Sequence, residues 1–341
     1  FNANGSRISS GSHKETGYSV DLNAEGNILV IGHPKDGENT NNANRGKGFV
    51  SVWLITNDQS KTTGQTFLTG LHGYYFIKLS NYIYPQHMTG MSNQRFGHRV
   101  RISKTGNRVI VGAKHSTTGF VEVFEYSSSL TTNVTPGGTW TRVHNTKLTT
   151  NNNNGRWGGR IAINGDGSMV AIANNHSTGE YGAWVYMDTG SGWHRFPFFA
   201  GSAAAVCMNR SGTRVAIHRS GTMNYVKIYE YDSPGQTTGT WTLIGRLYGN
   251  HDADYFGWAM DMNIDGNIIA VGAGAFDAWG NENPGKVRCF QYKTLTQTEW
   301  ESCYKFDYTN NTTYSPFGTS QYYVASPVIF SDGDSANASP T

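Results

Sequence analysis

The sequence predicts an all-β protein, a β-propeller of four-stranded antiparallel blades. Three observations predict it: the composition, a strand–turn–strand pattern that occurs five times, and a further pair of strands after each copy. Charged residues make up only 15% of the 341-residue chain, whereas 13% of the residues are aromatic and 42 are glycine. Low charge combined with many aromatic and turn-forming residues is typical of sheet proteins and excludes a disordered chain.

The repeated pattern starts with an aromatic residue next to a glycine, or in the fourth copy with a glycine alone. A short alternating strand follows, then a turn glycine, then a strand that is apolar on both faces. The apolar residues of the first strand lie six and four positions before the turn glycine, which is the spacing of one strand face. A glycine accommodates the positive φ of a tight hairpin. The five turn glycines are Gly26, Gly106, Gly167, Gly212 and Gly266.

A third and a fourth strand complete each copy. Third strands are predicted at 49–54, 120–126, 183–187, 225–231 and 286–292. Phe67 marks the fourth strand of the first copy, and a tryptophan marks it in the others: Trp140, Trp193, Trp241 and Trp300. Four antiparallel strands that recur in this way are the blades of a propeller. A β-sandwich is the alternative, but it does not explain five equivalent units.

The chain is predicted to form one propeller domain over 1–330, with a polar tail at 331–341. The repeat units span about 17–95, 96–156, 157–200, 201–255 and 256–316. Phe317 and Gly318 begin a sixth copy, and Phe1 precedes Gly17 by the interval that separates Trp241 from Gly257. We therefore predict that 317–330 and 1–16 pair to form a composite last blade. Six blades result, with five or seven as alternatives.

The second copy, Phe96 to Ala113, reads Phe-Gly-x-x-Val-x-Ile-x-x-x-Gly-Asn-x-x-x-Val-Gly-Ala, and the copy from Phe256 to Ala273 is close to it. This pattern resembles the FG-GAP repeats of integrin-α-type propellers. The resemblance covers roughly 17–320. It implies the propeller fold and an extracellular adhesion or scaffold module, and many members of that family bind calcium.

The calcium-binding loop of such repeats is incomplete in this sequence. In the fifth copy Asp261, Asn263 and Asp265 are spaced as ligands, but Ile269 occupies the position of the closing acid. Calcium requires six to eight oxygen ligands, so a polar hairpin turn is the preferred interpretation. Histidines after the second strands are too far apart on separate blades to share a transition metal: His33, His115, His176 and His218. No metal or cofactor is predicted.

From these features we predict a non-catalytic extracellular or cell-surface module that is structural or adhesive. Its expected partners are copies of itself, as in a filament, other surface or matrix proteins, or glycans. A net charge of +3 does not indicate nucleic-acid binding, and no apolar stretch approaches the ~18 residues of a membrane span. No motif of a known catalytic site occurs, so no enzymatic activity is predicted.

Two alternative functions stay open. A glycan-binding lectin requires stacking aromatic residues, for which Trp157, Trp258 and Trp279 are available. A glycoside hydrolase requires two carboxyl groups close together in the central funnel. Asp252 and Asp254 lie near Asp261 in the sequence, but loop positions are the simpler interpretation. A basic run contacts either an acidic glycan or a neighbouring blade: His98, Arg99, Arg101, Lys104 and Arg108.

An aromatic insertion in the first copy is the predicted interface, because exposed aromatic residues are enriched at partner surfaces. The alternative is a lid packed on its own blade. The residues are Tyr74, Tyr75, Phe76, Tyr82 and Tyr84.

Cysteine and asparagine residues give two further predictions. Cys289 and Cys303 lie on adjacent strands, where a cross-strand disulfide or two thiols fit, and Cys207 is predicted to be buried without a partner. Seven Asn-x-Ser/Thr sequons permit glycosylation. They are Asn4, Asn133, Asn175, Asn209, Asn310, Asn311 and Asn337.

Overall fold

The computed structural model describes 16–35, 47–85, 95–114, 119–127, 136–149, 157–174, 182–197, 199–220, 224–249, 255–274, 286–293 and 299–306. These residues form 22 strands in five antiparallel sheets, with short 3-10 helices at Gln59–Thr62, Leu71–Gly73 and Val143–Asn145. The all-β propeller prediction is confirmed. No helix in these ranges is long and apolar enough to cross a membrane.

The sheets follow one another along the chain, and in each the first strand is innermost. The first sheet contains β1 (Ser19–Leu22), β2 (Ile28–His33), β3 (Phe49–Thr56), β4 (Phe67–Thr69) and β5 (Tyr75–Lys78). The second contains β6 (Phe96–Ile102), β7 (Arg108–Ala113), β8 (Phe120–Tyr126) and β9 (Trp140–Arg142). The third contains β10 (Arg160–Ile163), β11 (Met169–Asn174), β12 (Gly182–Asp188), β13 (Trp193–Arg195) and β14 (Phe199–Ala200).

The fourth sheet contains β15 (Val206–Met208), β16 (Arg214–Arg219), β17 (Tyr225–Tyr231) and β18 (Trp241–Tyr248). The fifth contains β19 (Phe256–Met262), β20 (Ile268–Ala273), β21 (Lys286–Lys293) and β22 (Glu299–Phe306). The tryptophan-marked fourth strands are therefore confirmed. The composite last blade falls outside the described residues and stays a prediction.

The fourth strand of the first sheet differs from the prediction. Strand β5 pairs with β3, and the strand that Phe67 begins, β4, lies beyond β5 at the edge. Ile77 of β5 is completely buried in the core, whereas the Phe67 side chain is exposed. The sheet therefore places the more deeply buried apolar residue beside β3, which sequence spacing alone did not indicate.

A ladder of backbone hydrogen bonds joins the inner hairpins around the axis. It runs between the residues two positions before each turn glycine. The Ala24 N–H donates to the Lys104 carbonyl at 3.1 Å, and the Lys104 N–H to that of Gly165 at 2.7 Å. The Gly165 N–H donates to the Arg210 carbonyl at 2.7 Å, and the backbone N–H of Arg210 donates to the Ile264 carbonyl at 3.2 Å. These bonds hold the five inner strands in one register.

The paired apolar residues of each inner strand pack against the preceding sheet. Val100 of β6 is completely buried against residues of the first sheet, and Val206 of β15 is buried against the third. The equivalent residues of β1 are an exception, because Val20 is 53% and Leu22 is 49% exposed. Their side chains face the sector that precedes the first sheet, where the composite last blade is predicted.

Replacing Val20 by aspartate tests whether the terminal segments cover this face. If 317–330 and 1–16 pack there, Val20→Asp should lower the free energy of unfolding by about 2 kcal/mol or more, because it buries an unpaired charge. Val206→Asp, at the equivalent buried position, is the reference. Urea unfolding measures both. A Val20→Asp variant as stable as the parent would contradict the composite blade.

Neighbouring sheets approach so closely that they leave no room for a Cβ at some glycines. A Cβ on Gly112 would lie 1.9 Å from the carbonyl oxygen of Gly158 in the next sheet, and one on Gly32 would lie 2.0 Å from that of Gly97. Both obstacles are backbone atoms, which cannot rotate away. The glycine near the end of the second strand, Gly32 or Gly112, therefore allows the neighbouring sheets to pack closely.

Gly112→Ala should destabilise the protein by about 1–3 kcal/mol, the usual cost of overpacking. Gly272→Ala is the matched control at the same repeat position, because its Cβ would meet only the Ala259 carbonyl oxygen at 3.4 Å. Chemical unfolding of the two variants gives the comparison. Equal stability of the two alanine variants would show that the sheets separate easily.

Candidate functional site

The inner strands present an unpaired edge toward the propeller axis, and side chains of the neighbouring sheet cover it. The Val100 N–H donates to Ser19 Oγ at 3.1 Å, and the Ile102 N–H donates to Asp21 Oδ2 at 3.0 Å. Ser19 and Asp21 lie seven and five positions before their turn glycine. The residues five positions before each turn glycine form the axial ring, which consists of Asp21, Arg101, Ala162, Cys207 and Asp261.

Two carboxyl groups and one guanidinium of the axial ring interact. Burial raises the pKa of Asp21 above its ordinary value, although the Arg101 charge and the Ile102 N–H oppose that shift. Burial also raises the pKa of Asp261; the Met262 N–H and Arg101 oppose the shift, and the negative charge of Asp21 adds to it. The Asp21 carboxyl is therefore close enough to affect Asp261, and both carboxyls have Arg101 as a nearby cation.

Cys207 also belongs to the axial ring, and its side chain is buried. Burial, followed by the charge of Asp261, raises the pKa of the Cys207 thiol well above its usual range. A thiol in this state is a poor nucleophile. The predicted burial of Cys207 is confirmed, and it forms no disulfide bond within the described part of the chain.

The turn end of the axis opens into a cavity of about 510 Å³ between the inner hairpins. Its charged lining residues are Lys104, Asp166, Arg210 and Asp265, so both signs are present. A cavity of this size accommodates a small polar molecule. Its lining residues lie one to three positions before the turn glycines, and none of them belongs to the axial ring.

Asp261, Asn263 and Asp265 were considered from the sequence as an incomplete calcium loop, and a polar hairpin turn was preferred. In the structure Asp261 belongs to the axial ring, whereas Asn263 Oδ1 accepts the Ile268 N–H at 2.9 Å. Asp265 is exposed. Among the described residues, no group of three or more histidine, cysteine or acidic side chains has the arrangement of a metal site. Comparing one position across the five copies would have indicated Asp21, Arg101 and Asp261 as neighbours.

Two of the four histidines that follow the second strands, His33 and His218, lie in the described residues, and each has its own hydrogen-bond partners. His33 Nε2 lies 2.9 Å from Ser51 Oγ, and its ring stacks on Phe49 with centroids 4.2 Å apart. His218 Nδ1 accepts the Ala204 N–H at 3.1 Å. His115 and His176 lie outside the described residues, as do Asp252 and Asp254. The residues of the basic run do not form one surface. Arg108 forms an ion pair with Asp188 of the third sheet at 2.7 Å, whereas Arg99 lies at the axis.

The predicted aromatic interface is only partly an irregular insertion. Tyr75 and Phe76 belong to β5, and Tyr75 packs against the core, which corrects their assignment to an irregular segment. Tyr74, Tyr82 and Tyr84 are exposed, although Tyr82 and Tyr84 also pack on Phe49 with centroids 4.5 and 5.8 Å away. A partner at these three tyrosines, and the extracellular location, stay predictions.

The cysteine and glycosylation predictions have separate outcomes. Residues 289 and 290 of β21 pair with 304 and 302 of β22, so Cys303 occupies the intervening irregularity beside Cys289. The Cys303 side chain lies outside the described residues, and the disulfide stays a prediction.

Asn209 is only 2% exposed and its Oδ1 accepts the Arg214 N–H at 2.8 Å, so a glycan there conflicts with the fold. The other six sequons lie outside the described residues.

The tryptophans proposed for glycan stacking do not form equivalent pockets. Trp157 is buried, donates from Nε1 to the Leu148 carbonyl at 2.9 Å and packs on Trp184. It therefore belongs to the core. Trp258 is exposed near the start of β19, and Trp279 lies outside the described residues.

Comparisons with known proteins show the fold and no family. No protein-family model and no curated protein sequence matches the chain. A candidate 6-phosphogluconolactonase from Bacteroides fragilis has a TM-score of 0.48 and 12% identity, over 81% of this chain and 80% of that one. A second candidate 6-phosphogluconolactonase, from Bacteroides uniformis, has a TM-score of 0.47 and 8% identity, over 84% of each chain. Hydrazine synthase from Kuenenia stuttgartiensis has a TM-score of 0.43 and 12% identity, over 85% of this chain and 80% of that one.

These findings correct two predictions. The expectation of a non-catalytic structural or adhesive module, and that of no enzymatic activity, are contradicted, because the similar propellers are named as enzymes or candidate enzymes. At 8–12% identity the likeness concerns the fold alone, so the substrates of those proteins are not assigned to this chain. The FG-GAP resemblance is confirmed only in its coarser part, a propeller of repeated antiparallel sheets.

Proposed function

We propose that the protein is a glycoside hydrolase whose active site is the axial ring, with Asp21 and Asp261 as its two carboxyl groups. The carrying observation is that Asp21 and Asp261, from the first and fifth sheets, both have raised pKa values, that the charge of Asp21 adds to the shift of Asp261, and that Arg101 opposes both shifts. Acid–base hydrolysis of a glycosidic bond requires one carboxyl group whose raised pKa keeps it protonated and a second carboxyl group that is ionised.

The roles follow from the different surroundings of the two carboxyls. Asp21 accepts the Ile102 N–H and faces Arg101, and both interactions favour its ionised form. The charge of Asp21 in turn favours the protonated form of Asp261. We therefore assign Asp261 as the general acid and Asp21 as the general base. Arg101 is a positioning residue that keeps Asp21 ionised.

In the proposed reaction, Asp261 gives its proton to the glycosidic oxygen as the bond from that oxygen to the anomeric carbon breaks. A water molecule bonds to the anomeric carbon and loses a proton to Asp21. One carboxyl ends deprotonated and the other protonated, and a proton transfer through solvent restores the starting state. The reaction needs no metal or redox cofactor.

The proposal is tested by hydrolysis of a panel of chromogenic aryl glycosides, both neutral and anionic. We expect release of the chromophore from at least one member, and we expect the Asp21→Asn/Asp261→Asn double variant to release none above background. Glu25→Gln is the matched control, because Glu25 is an exposed acid on the same hairpin as Asp21. No hydrolysis of any panel member by the parent protein, or full activity of the double variant, would overturn the proposal.

A further inference from the structure

Two arginines lie side by side at the axis, next to the axial ring. Arg99 of β6 and Arg160 of β10 both lie seven positions before their turn glycines. Arg99 Nε donates to the Gly159 carbonyl at 3.4 Å. Arg160 donates from Nε to the Ala204 carbonyl at 2.7 Å and from Nη1 to the Gly159 carbonyl at 3.0 Å. These bonds hold both guanidiniums against the inner edges of the following sheets.

Neither guanidinium forms an ion pair with a carboxylate of the described residues. Burial, followed by the charges of Arg160 and Arg101, lowers the pKa of Arg99 to about 10, and burial also lowers the pKa of Arg160. Two half-buried like charges are unfavourable unless an anion compensates them. The guanidinium fork matches the oxygens of a carboxylate or phosphate.

An aromatic ring and a buried imidazole border the two arginines. Tyr18 is 48% exposed and lies close enough to influence both Arg99 and Arg160. Its ring lies 4.7 Å from that of His98, which is almost completely buried. Neither ring nitrogen of His98 has a hydrogen-bond partner among the described residues. Burial and surrounding cations lower the pKa of His98 to about 3, so the imidazole is neutral and adds no charge.

We propose that Arg99 and Arg160 form a subsite that binds the carboxylate or phosphate group of an anionic sugar, with Tyr18 against the sugar ring. The inference rests on the proposed hydrolase function and specifies its substrate class. Two residues of a strand span about 7 Å, which separates this subsite from the axial ring. A single sugar can therefore place its charged group at the arginines and its glycosidic bond near Asp21 and Asp261.

Binding of glucuronate and of glucose 6-phosphate, each compared with uncharged glucose, tests the subsite in calorimetric titrations at 0.15 M salt. At least one of the two anions should bind more than tenfold tighter than glucose, and the tighter one identifies the charged group. Arg99→Gln and Arg160→Gln should each weaken that binding about tenfold or more, because each removes a charge-assisted hydrogen bond. Lys61→Gln, which removes a cation on the short helix Gln59–Thr62, should leave it unchanged.

Thermal unfolding serves as the folding control. The anion should raise the melting temperature of the parent and of Lys61→Gln, but not that of the double variant Arg99→Gln/Arg160→Gln. The double variant alone should melt no lower than the parent, because it loses two charges that repel each other. Equal binding of anions and glucose, or unchanged anion binding by the double variant, would overturn the subsite.

The subsite and the hydrolase can fail separately. Anion binding that depends on both arginines, without hydrolysis of any glycoside, supports the subsite and counts against the hydrolase. Hydrolysis restricted to neutral glycosides and insensitive to Arg99→Gln supports the hydrolase and overturns the subsite. The Asp21→Asn/Asp261→Asn double variant should still bind the anion, since its substitutions lie outside the subsite.

Discussion

Asp261→Asn should lower kcat/KM for glycoside hydrolysis by about 10²–10⁴-fold, the usual contribution of a general acid or base. Asparagine keeps the size and the hydrogen-bonding oxygen of the side chain but has no proton to donate. Asp21→Asn should cause a loss of similar size, because the amide cannot accept the proton of the attacking water. Glu25→Gln should retain the parent activity.

The pH dependence separates the two roles. The parent should lose activity as pH rises through the elevated pKa of Asp261, because the acid must be protonated. That alkaline limb should be absent from the residual activity of Asp261→Asn and present in that of Asp21→Asn. Steady-state rates across the pH range measure this difference. Identical profiles for the two variants would contradict the assignment of acid and base.

The raised pKa values of Asp21 and Asp261 also predict that the asparagine variants lose activity without losing stability. A carboxyl whose pKa is raised on folding binds more protons in the native state, so its contribution to stability falls as pH rises above the unfolded value of about 3.9. Removing the charge should therefore leave the asparagine variants at least as stable as the parent at pH 7. Any gain in melting temperature should disappear below about pH 3.9. A lower melting temperature at pH 7 would contradict the burial of these charges.

Arg142→Met should destabilise the protein by about 3–5 kcal/mol, the largest expected effect on stability. Arg142 Nη1 lies 2.8 Å from Glu122 Oε1 in the second sheet, and the two side chains are 2% and 0% exposed. Removing the guanidinium leaves the Glu122 carboxylate in a nonpolar environment. It also removes a hydrogen bond to the Asn145 carbonyl at 2.8 Å.

Urea unfolding of matched variants tests the cause of this loss. Adding Glu122→Leu to Arg142→Met should recover part of the stability, because no buried charge then remains. Glu230→Gln removes the exposed partner of the Arg214–Glu230 pair, whose charged atoms lie 2.6 Å apart, and should cost no more than about 1 kcal/mol. No recovery of stability in the Arg142→Met/Glu122→Leu double variant would show that packing rather than charge is responsible.

The local elements were predictable because they depend on short stretches of chain. Turn glycines such as Gly106 adopt positive φ, here 83°, which few other residues accept. Residues that alternate along a strand, such as Val100 and Ile102, necessarily share one face. Strand Phe120–Tyr126 therefore has the bounds that its sequence predicts. The first sheet was harder, because both β4 and β5 satisfy the local pattern and only burial of Ile77 selects between them.

The sequence by itself determined the inner hairpins and the propeller architecture, since strand period and turn chemistry act over a few residues. Only the tertiary structure decided which side chains meet at the axis. Asp21 and Asp261 are 240 positions apart, and they approach because the inner strands of different sheets surround one axis. The close contact between Gly112 and Gly158 and the buried pair of Arg142 and Glu122 have the same origin. Each depends on the packing of whole strands or sheets, which no local pattern encodes.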